Sequence, residues 1–170
     1  MWVRFPHLPP VPIGPLVTPA TPFVGYAGPV SVAHGDVTGD GVLDTICGTA
    51  SGSSHVKVFD GETGAEVRSF LAFGGFTGGV SVGAGDTDGD GAAEVIVAAG
   101  PGGHSHVKVF DGQSQQLTLS FFSHPGFNGP VAVAADDLNG DGHPEVVAIA
   151  VGHVKAFDGT TGAVVLSTLR

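Results

Sequence analysis

Apolar residues in this chain come in short blocks separated by clusters of Gly, Pro, Asp and Ser. The central third shows the pattern best. From 80 to 85, Val80, Val82 and Ala84 alternate with small residues, the period of a strand with one covered face. Residues 95–99 are continuously apolar, which predicts a strand buried on both faces. Gly100, Pro101, Gly102 and Gly103 then make a turn. From 106 to 110 the alternation returns, with Val107 and Val109 on one face and His106, Lys108 and Phe110 on the other. Asp111 and Gly112 open a hairpin, and residues 117–122 predict a fourth strand. No stretch has the period of an amphipathic helix.

The block recurs. Asp36, Asp86 and Asp137 each begin an acidic loop: Asp36 to Asp44, Asp86 to Glu94 and Asp137 to Glu145. A second landmark follows each loop. It reads His-Val-Lys-Val-Phe-Asp-Gly from His55 and from His106, and His-Val-Lys-Ala-Phe-Asp-Gly from His153. A third precedes each loop, built around Tyr26, Phe76 and Phe127. Ordered landmarks in three copies, about fifty residues apart, define an internal repeat. Four antiparallel strands in about 50 residues is the size of a propeller blade. The expected fold class is all-β: β-propeller blades, as three four-stranded antiparallel repeats in an incomplete propeller or a fragment of one. The blades are expected at 23–73, 74–123 and 124–170. The third is short because the turn before His153 has lost residues. Residues 1–22 hold seven of the twelve prolines and read as an extended tail or linker.

Composition narrows the function. Gly and Pro are abundant, yet the apolar fraction is 42% and mean hydropathy is +0.30, which argues for a packed core over disorder. The formal charge is −10, which disfavours nucleic acid and anionic membrane surfaces. No apolar run reaches the 18 or so residues that cross a bilayer, so no membrane insertion is expected. The first residues lack the pattern of a secretory signal, consistent with a fragment. Cys47 is the lone cysteine.

Ten of the sixteen acidic residues fall at alternate positions of the three loops. Loop one offers Asp36, Thr38, Asp40, the Val42 carbonyl and Asp44. Loop two offers Asp86, Asp88, Asp90, the Ala92 carbonyl and Glu94. Loop three offers Asp137, Asn139, Asp141, the His143 carbonyl and Glu145. Gly at the sixth position permits the turn that brings these oxygens around one centre, the way a short loop wraps a hard cation. An all-oxygen donor set favours Ca²⁺, about three sites, over transition metals and over the tighter octahedron of Mg²⁺. An EF-hand needs a Glu at position twelve and flanking helices; Cys47, Val97 and Ala148 stand there, and the flanks are strands.

These loops resemble the FG-GAP repeat, integrin-α-type and also called VCBS. Phe73-Gly74 and Ala99-Gly100-Pro101 stand where that repeat's two name-giving landmarks fall. The resemblance covers 23–170, with Thr38 the one weak substitution. It implies propeller blades with calcium between the first two strands of each. It implies a non-catalytic calcium-binding segment, an extracellular or cell-surface binding and adhesion module with an unknown protein or glycan ligand. The alternative it leaves is a lectin-like glycan-binding propeller or an accessory domain of a polysaccharide-active enzyme. Three blades are too few to close a ring. A longer parent protein is the favoured completion, and self-association is the other. Affinity is expected at roughly 10⁻⁴–10⁻³ M, strongest in loop two with its four acids.

The remaining chemistry reads as structure. Gly79-Val80-Ser81-Val82-Gly83 matches a nucleophile elbow in letters but lies inside a strand. His104, His106 and His124 are a weak zinc set, and His55 and His153 repeat the place of His106, which points to packing. Cys47 aligns with Val97 and Ala148, which points to a small buried residue. Lys57, Lys108 and Lys155 read as exposed or beside acids, and no role follows. Tyr26, Phe76 and Phe127 are expected to pack between blades.

Overall fold

The computed structural model describes residues 19–169. The proline-rich segment expected at 1–22 falls mostly outside them. The first sheet is β1 (Val30–Gly35), β2 (Asp44–Thr49), β3 (His55–Phe59) and β4 (Glu66–Leu71). The second is β5 (Val80–Gly85), β6 (Glu94–Ala99), β7 (His106–Phe110) and β8 (Leu117–Phe122). The third is β9 (Ala132–Asp136), β10 (Glu145–Ala150), β11 (His153–Phe157) and β12 (Val164–Leu169). Each sheet is an antiparallel meander whose strands lie side by side in chain order. The described residues form no helix.

Hydrophobic pattern and burial agree in the second and third strands of the first two blades; in the third blade Ile149 and all of β12 are exposed. β2 and β6 are buried at every position, as a continuous apolar run requires of a strand covered on both faces. β3 and β7 bury alternate positions, with Val56 and Val58, and Val107 and Val109, fully buried. Each last pair of strands shifts register just before the Asp-Gly turn, at Val58/Phe59, Val109/Phe110 and Ala156/Phe157. Such a bulge adds local twist.

Neighbouring sheets pack face to face. Ile46, Val56 and Val58 of the first meet Val80, Val82, Val95 and Val97 of the second. The other face of the second, with Ile96, Ala98, Val107 and Val109, meets Val131, Val146, Ala148 and Phe157 of the third. The first strands β1, β5 and β9 touch in succession, which sets them innermost. Close approach there needs glycine: a Cβ on Gly85 would come within 2.4 Å of the Ala135 Cβ. Three twisted sheets stacked radially, joined fourth strand to first, are blades of an unclosed propeller.

The second residue of each acidic loop reports on the neighbour. Val37 is 0% exposed and Thr87 2%, and each lies against the glycine after the Phe-Asp pair of the next blade, Gly112 and Gly159. Leu138 holds the same place in the third loop and is 45% exposed. Ile149 and Leu166, on the same outward face, are also exposed.

Core and free face should answer differently to truncation. Ile96→Ala is expected to cost about 2–5 kcal/mol in urea denaturation, and Ile149→Ala about 0.5 kcal/mol or less. Equal costs would contradict this assignment of faces.

Candidate metal centre

Each acidic loop joins the first two strands of its blade, so register fixes its ends. Gly35 pairs with Asp44 and Gly85 with Glu94. In the third blade Asp136 pairs with Glu145. Between these ends the carboxylates organise the backbone. The first Asp accepts the amides of the fourth and sixth positions. Asp36 accepts from Gly39 and Gly41 at 2.7 Å each, Asp86 from Gly89 and Gly91, and Asp137 from Gly140 and Gly142. Those six glycines all have φ between +75° and +94°. The sequence pattern had singled out only the sixth position; the fourth carries the same backbone requirement. The fifth-position carboxylate accepts the amide of the seventh, as Asp40 from Val42, Asp90 from Ala92 and Asp141 from His143. This keeps the seventh residue's amide turned inward.

The ninth position ties the loop to the sheet, and its side-chain length matters. Glu94 Oε2 accepts the Thr87 amide at 2.6 Å and its hydroxyl at 2.8 Å. Glu145 Oε2 accepts the Leu138 amide. Asp44 is one methylene shorter. It accepts the Thr38 amide at 2.9 Å instead, and also the Gly61 amide. All three are buried.

The loops differ in how their carboxylates are grouped. In loop two, Asp86, Asp88 and Asp90 bring carboxylate oxygens within 4.8 Å of one another. Asp88, Glu94 and Asp111 do the same. No other such grouping of acidic, histidine or cysteine side chains occurs among the described residues. In loop one, Asp36, Asp40 and Asp44 are not drawn together in this way, and the Thr38 hydroxyl is buried without a partner. In loop three the Asn139 amide nitrogen bridges Asp141 at 3.0 Å and Glu145 at 2.6 Å. The side chains of Val42, Ala92 and His143 take no part in these groupings, and the His143 ring lies over Gly89 of loop two.

Asp111 is the residue that sequence spacing missed. It lies 17 positions past Glu94, in the β7–β8 turn, where its carboxylate also accepts the Ser114 amide and hydroxyl. The signal was the repeated Phe-Asp-Gly landmark, which reads equally well as turn chemistry.

The donors in loop two suit a hard divalent cation. They are all oxygens, and the buried Glu94 Oε1 has no hydrogen-bond partner. Glu94 is pushed up to about 7 from 4.5, first by burial and then by Asp88 and Asp86, against the pull of the two Thr87 bonds. Asp44 is also raised, by burial first, with the Gly61 and Thr38 amides opposing.

The other candidates resolve as structure. His55, His106 and His153 bond Ser69, Ser120 and Ser167 on the adjoining fourth strands at 2.8, 2.8 and 2.9 Å. Ser81 lies within β5, and Cys47 is buried in β2 with its thiol pKa raised by burial. Phe76 and Phe127 pack against the two interblade clusters. Lys57 pairs with Glu66. Lys108 departs from the expected exposed or acid-paired strand lysine: it donates to the Ala72 carbonyl and lies over the Phe73 ring.

Residues 36–97 and 86–148 match the sequence profile of the FG-GAP-like repeat, about two thirds of the chain together. Each match spans two successive acidic loops. No curated protein matches the chain.

The Glu94 shift has a sign. A raised carboxyl pKa means the folded, metal-free protein holds a proton that the unfolded chain has released. The stability this group contributes is complete below about 4.5 and is lost as pH rises through about 7. In EDTA, Tm should fall between about pH 5 and about pH 8, and Glu94→Gln should flatten that fall. Parallel pH profiles for the two proteins would count against a protonated Glu94.

Proposed function

The chain belongs to the FG-GAP-like repeat family, and on that premise we propose that it is a non-catalytic propeller module whose acidic loops bind Ca²⁺. Repeats of this family are generally non-catalytic and typical of extracellular or surface proteins. A surface-exposed binding or adhesion role follows from that setting. The observation that carries the calcium reading is the buried Glu94 carboxylate, which has one oxygen without a hydrogen-bond partner and groups with Asp88 and Asp111, while Asp88 also groups with Asp86 and Asp90. Bound there, a divalent cation supplies the positive charge that these carboxylates lack.

The chain's own residues do the rest. Asp86 and Asp90 hold the loop backbone through its amides, and Glu94 anchors it to the buried strand β6. Loop two has the most carboxylates and the tightest grouping, so it leads. Loop one has the Thr38 hydroxyl free to serve as a ligand. Loop three must first turn the Asn139 amide, so that its oxygen replaces its nitrogen toward Asp141 and Glu145. Relief of carboxylate repulsion also favours the compact state of a chain with formal charge −10.

Calorimetry with a magnesium control tests this. Asp90→Asn should lose more calcium binding than Asp40→Asn, and Asp111→Asn should weaken the tightest site by roughly 10-fold. Equal losses, or no calcium heat beyond magnesium, would sink the ranking or the reading itself.

The outward face of the third blade supports a further proposal, that a second copy of the chain packs there. Leu138, Ile149 and Leu166 are exposed at places that meet the next blade in the first two sheets. Two copies supply six blades, within the range that closes a ring. Native mass spectra should show a calcium-loaded dimer that Leu138→Asp returns to single chains. A wild-type monomer would refute the second copy.

A further inference from the structure

A cavity of about 310 Å³ opens in the third blade at the strand ends opposite its acidic loop. Comparison of the blades explains it. In the second blade the turn 100–105 folds back so that Gly103 lies against Ala99 and Phe76. In the third the turn between β10 and β11 is only Val151 and Gly152. Ala150 and Phe127, which occupy the places of Ala99 and Phe76, therefore face open space.

Two polar differences coincide with the missing turn. Phe23 and Phe73 tilt against His55 and His106, with ring centroids 5.2 and 5.1 Å apart. His124 takes that place in the third blade, 5.0 Å from His153. Its Nδ1 meets the Ser123 hydroxyl at 3.0 Å, but its Nε2 has no partner although the residue is only 6% exposed. A buried polar atom left unpaired is costly. Lys155 is the second difference. Lys57 has Glu66, and Lys108 has the Ala72 carbonyl and the Phe73 ring. Val164 stands where Glu66 would be, and Lys155 has no hydrogen bond or ion pair among the described residues. His124, His153 and Lys155 all line the cavity, and no carboxylate does.

We propose that this cavity binds a hydroxylated carboxylate of the sugar-acid class, either free or as a uronate unit of a glycan. The carboxylate pairs with the Lys155 ammonium. A hydroxyl pairs with His124 Nε2, since a hydroxyl bonds either tautomer of an imidazole. Phe127 and Val151 offer an apolar wall for the carbon face of the ring. The volume lies at the lower end of small-ligand pockets. Burial first, then the charges of Lys155 and His153, holds the His124 pKa below its ordinary value. The site is thus short of negative charge. Two imidazoles beside an ammonium make a poor metal site. The inference deepens the binding-module reading, and it stands apart from the calcium loops at the other end of the blade.

The test is histidine-resolved NMR of the calcium-loaded chain, titrated with glucuronate, an oligoglucuronate, acetate and glucose. Glucuronate should give saturable shifts at His124 and His153, with Kd on the order of 1 mM. Acetate should bind more weakly, and glucose should leave the signals unmoved. A tighter oligoglucuronate would assign the site to glycans, and equal affinity would assign it to the free acid. Lys155→Met and His124→Phe, the latter restoring the residue type of the other blades, should each weaken binding by roughly 10-fold while spectral dispersion is retained. Shifts that never saturate, or affinity unchanged in both variants, would overturn the proposal and leave the calcium measurements untouched.

Discussion

Every blade of this molecule depends on burial of its second strand on both faces. β2 and β6 have no exposed position, and β10 has only Ile149. A strand buried on both sides needs cover on both faces: the next sheet supplies it on one face, and for β2 the segment around Phe23 supplies it on the other. The apolar contacts between sheets, and not hydrogen bonds along the chain, set how the copies sit. Small residues at the inner strands follow from that: Gly35 meets Ala84 and Gly85 meets Ala135, where side chains would hold the sheets apart.

The acidic loops are part of this packing. The residue after the first Asp turns inward and lies against the next blade, as Val37 and Thr87 do. The residue at the far end is a carboxylate buried where strand meets loop. One loop therefore carries both the clustered carboxylates and the side chain that seats the neighbouring sheet. Ordering the loop orders the interface, so a cation held there would contribute to folding as well as to charge balance.

Departures from exact repetition are where the blades acquire different chemistry. The Asp at the ninth position of loop one is shorter than the Glu of the others and bonds a different amide. Asn139 places a donor where Asp88 places an acceptor. The shortened β10–β11 turn, together with His124 and Lys155, opens a polar cavity at a place that is filled in the second blade. Repetition builds the scaffold, and the exceptions differentiate its sites.

The period of apolar positions and the three copied landmarks determined the strands, their antiparallel order and the acidic loops between first and second strands. Those features are local: alternation sets a strand's faces, and Asp-Gly spacing sets a turn, whatever lies beyond. Fold class and the positions of the acidic loops were legible for that reason. Tertiary structure alone decided which carboxylates meet. Asp111 joins Asp88 and Glu94 only because β6 and β7 are paired, and Asp36, Asp40 and Asp44 form no such three-way group despite the same spacing. It also decided that Lys108 caps a carbonyl over an aromatic ring while Lys155 faces a cavity, from nearly identical sequence around each. A side chain's partners across a blade interface depend on what the neighbouring turn fills, and no spacing along a single chain carries that distance.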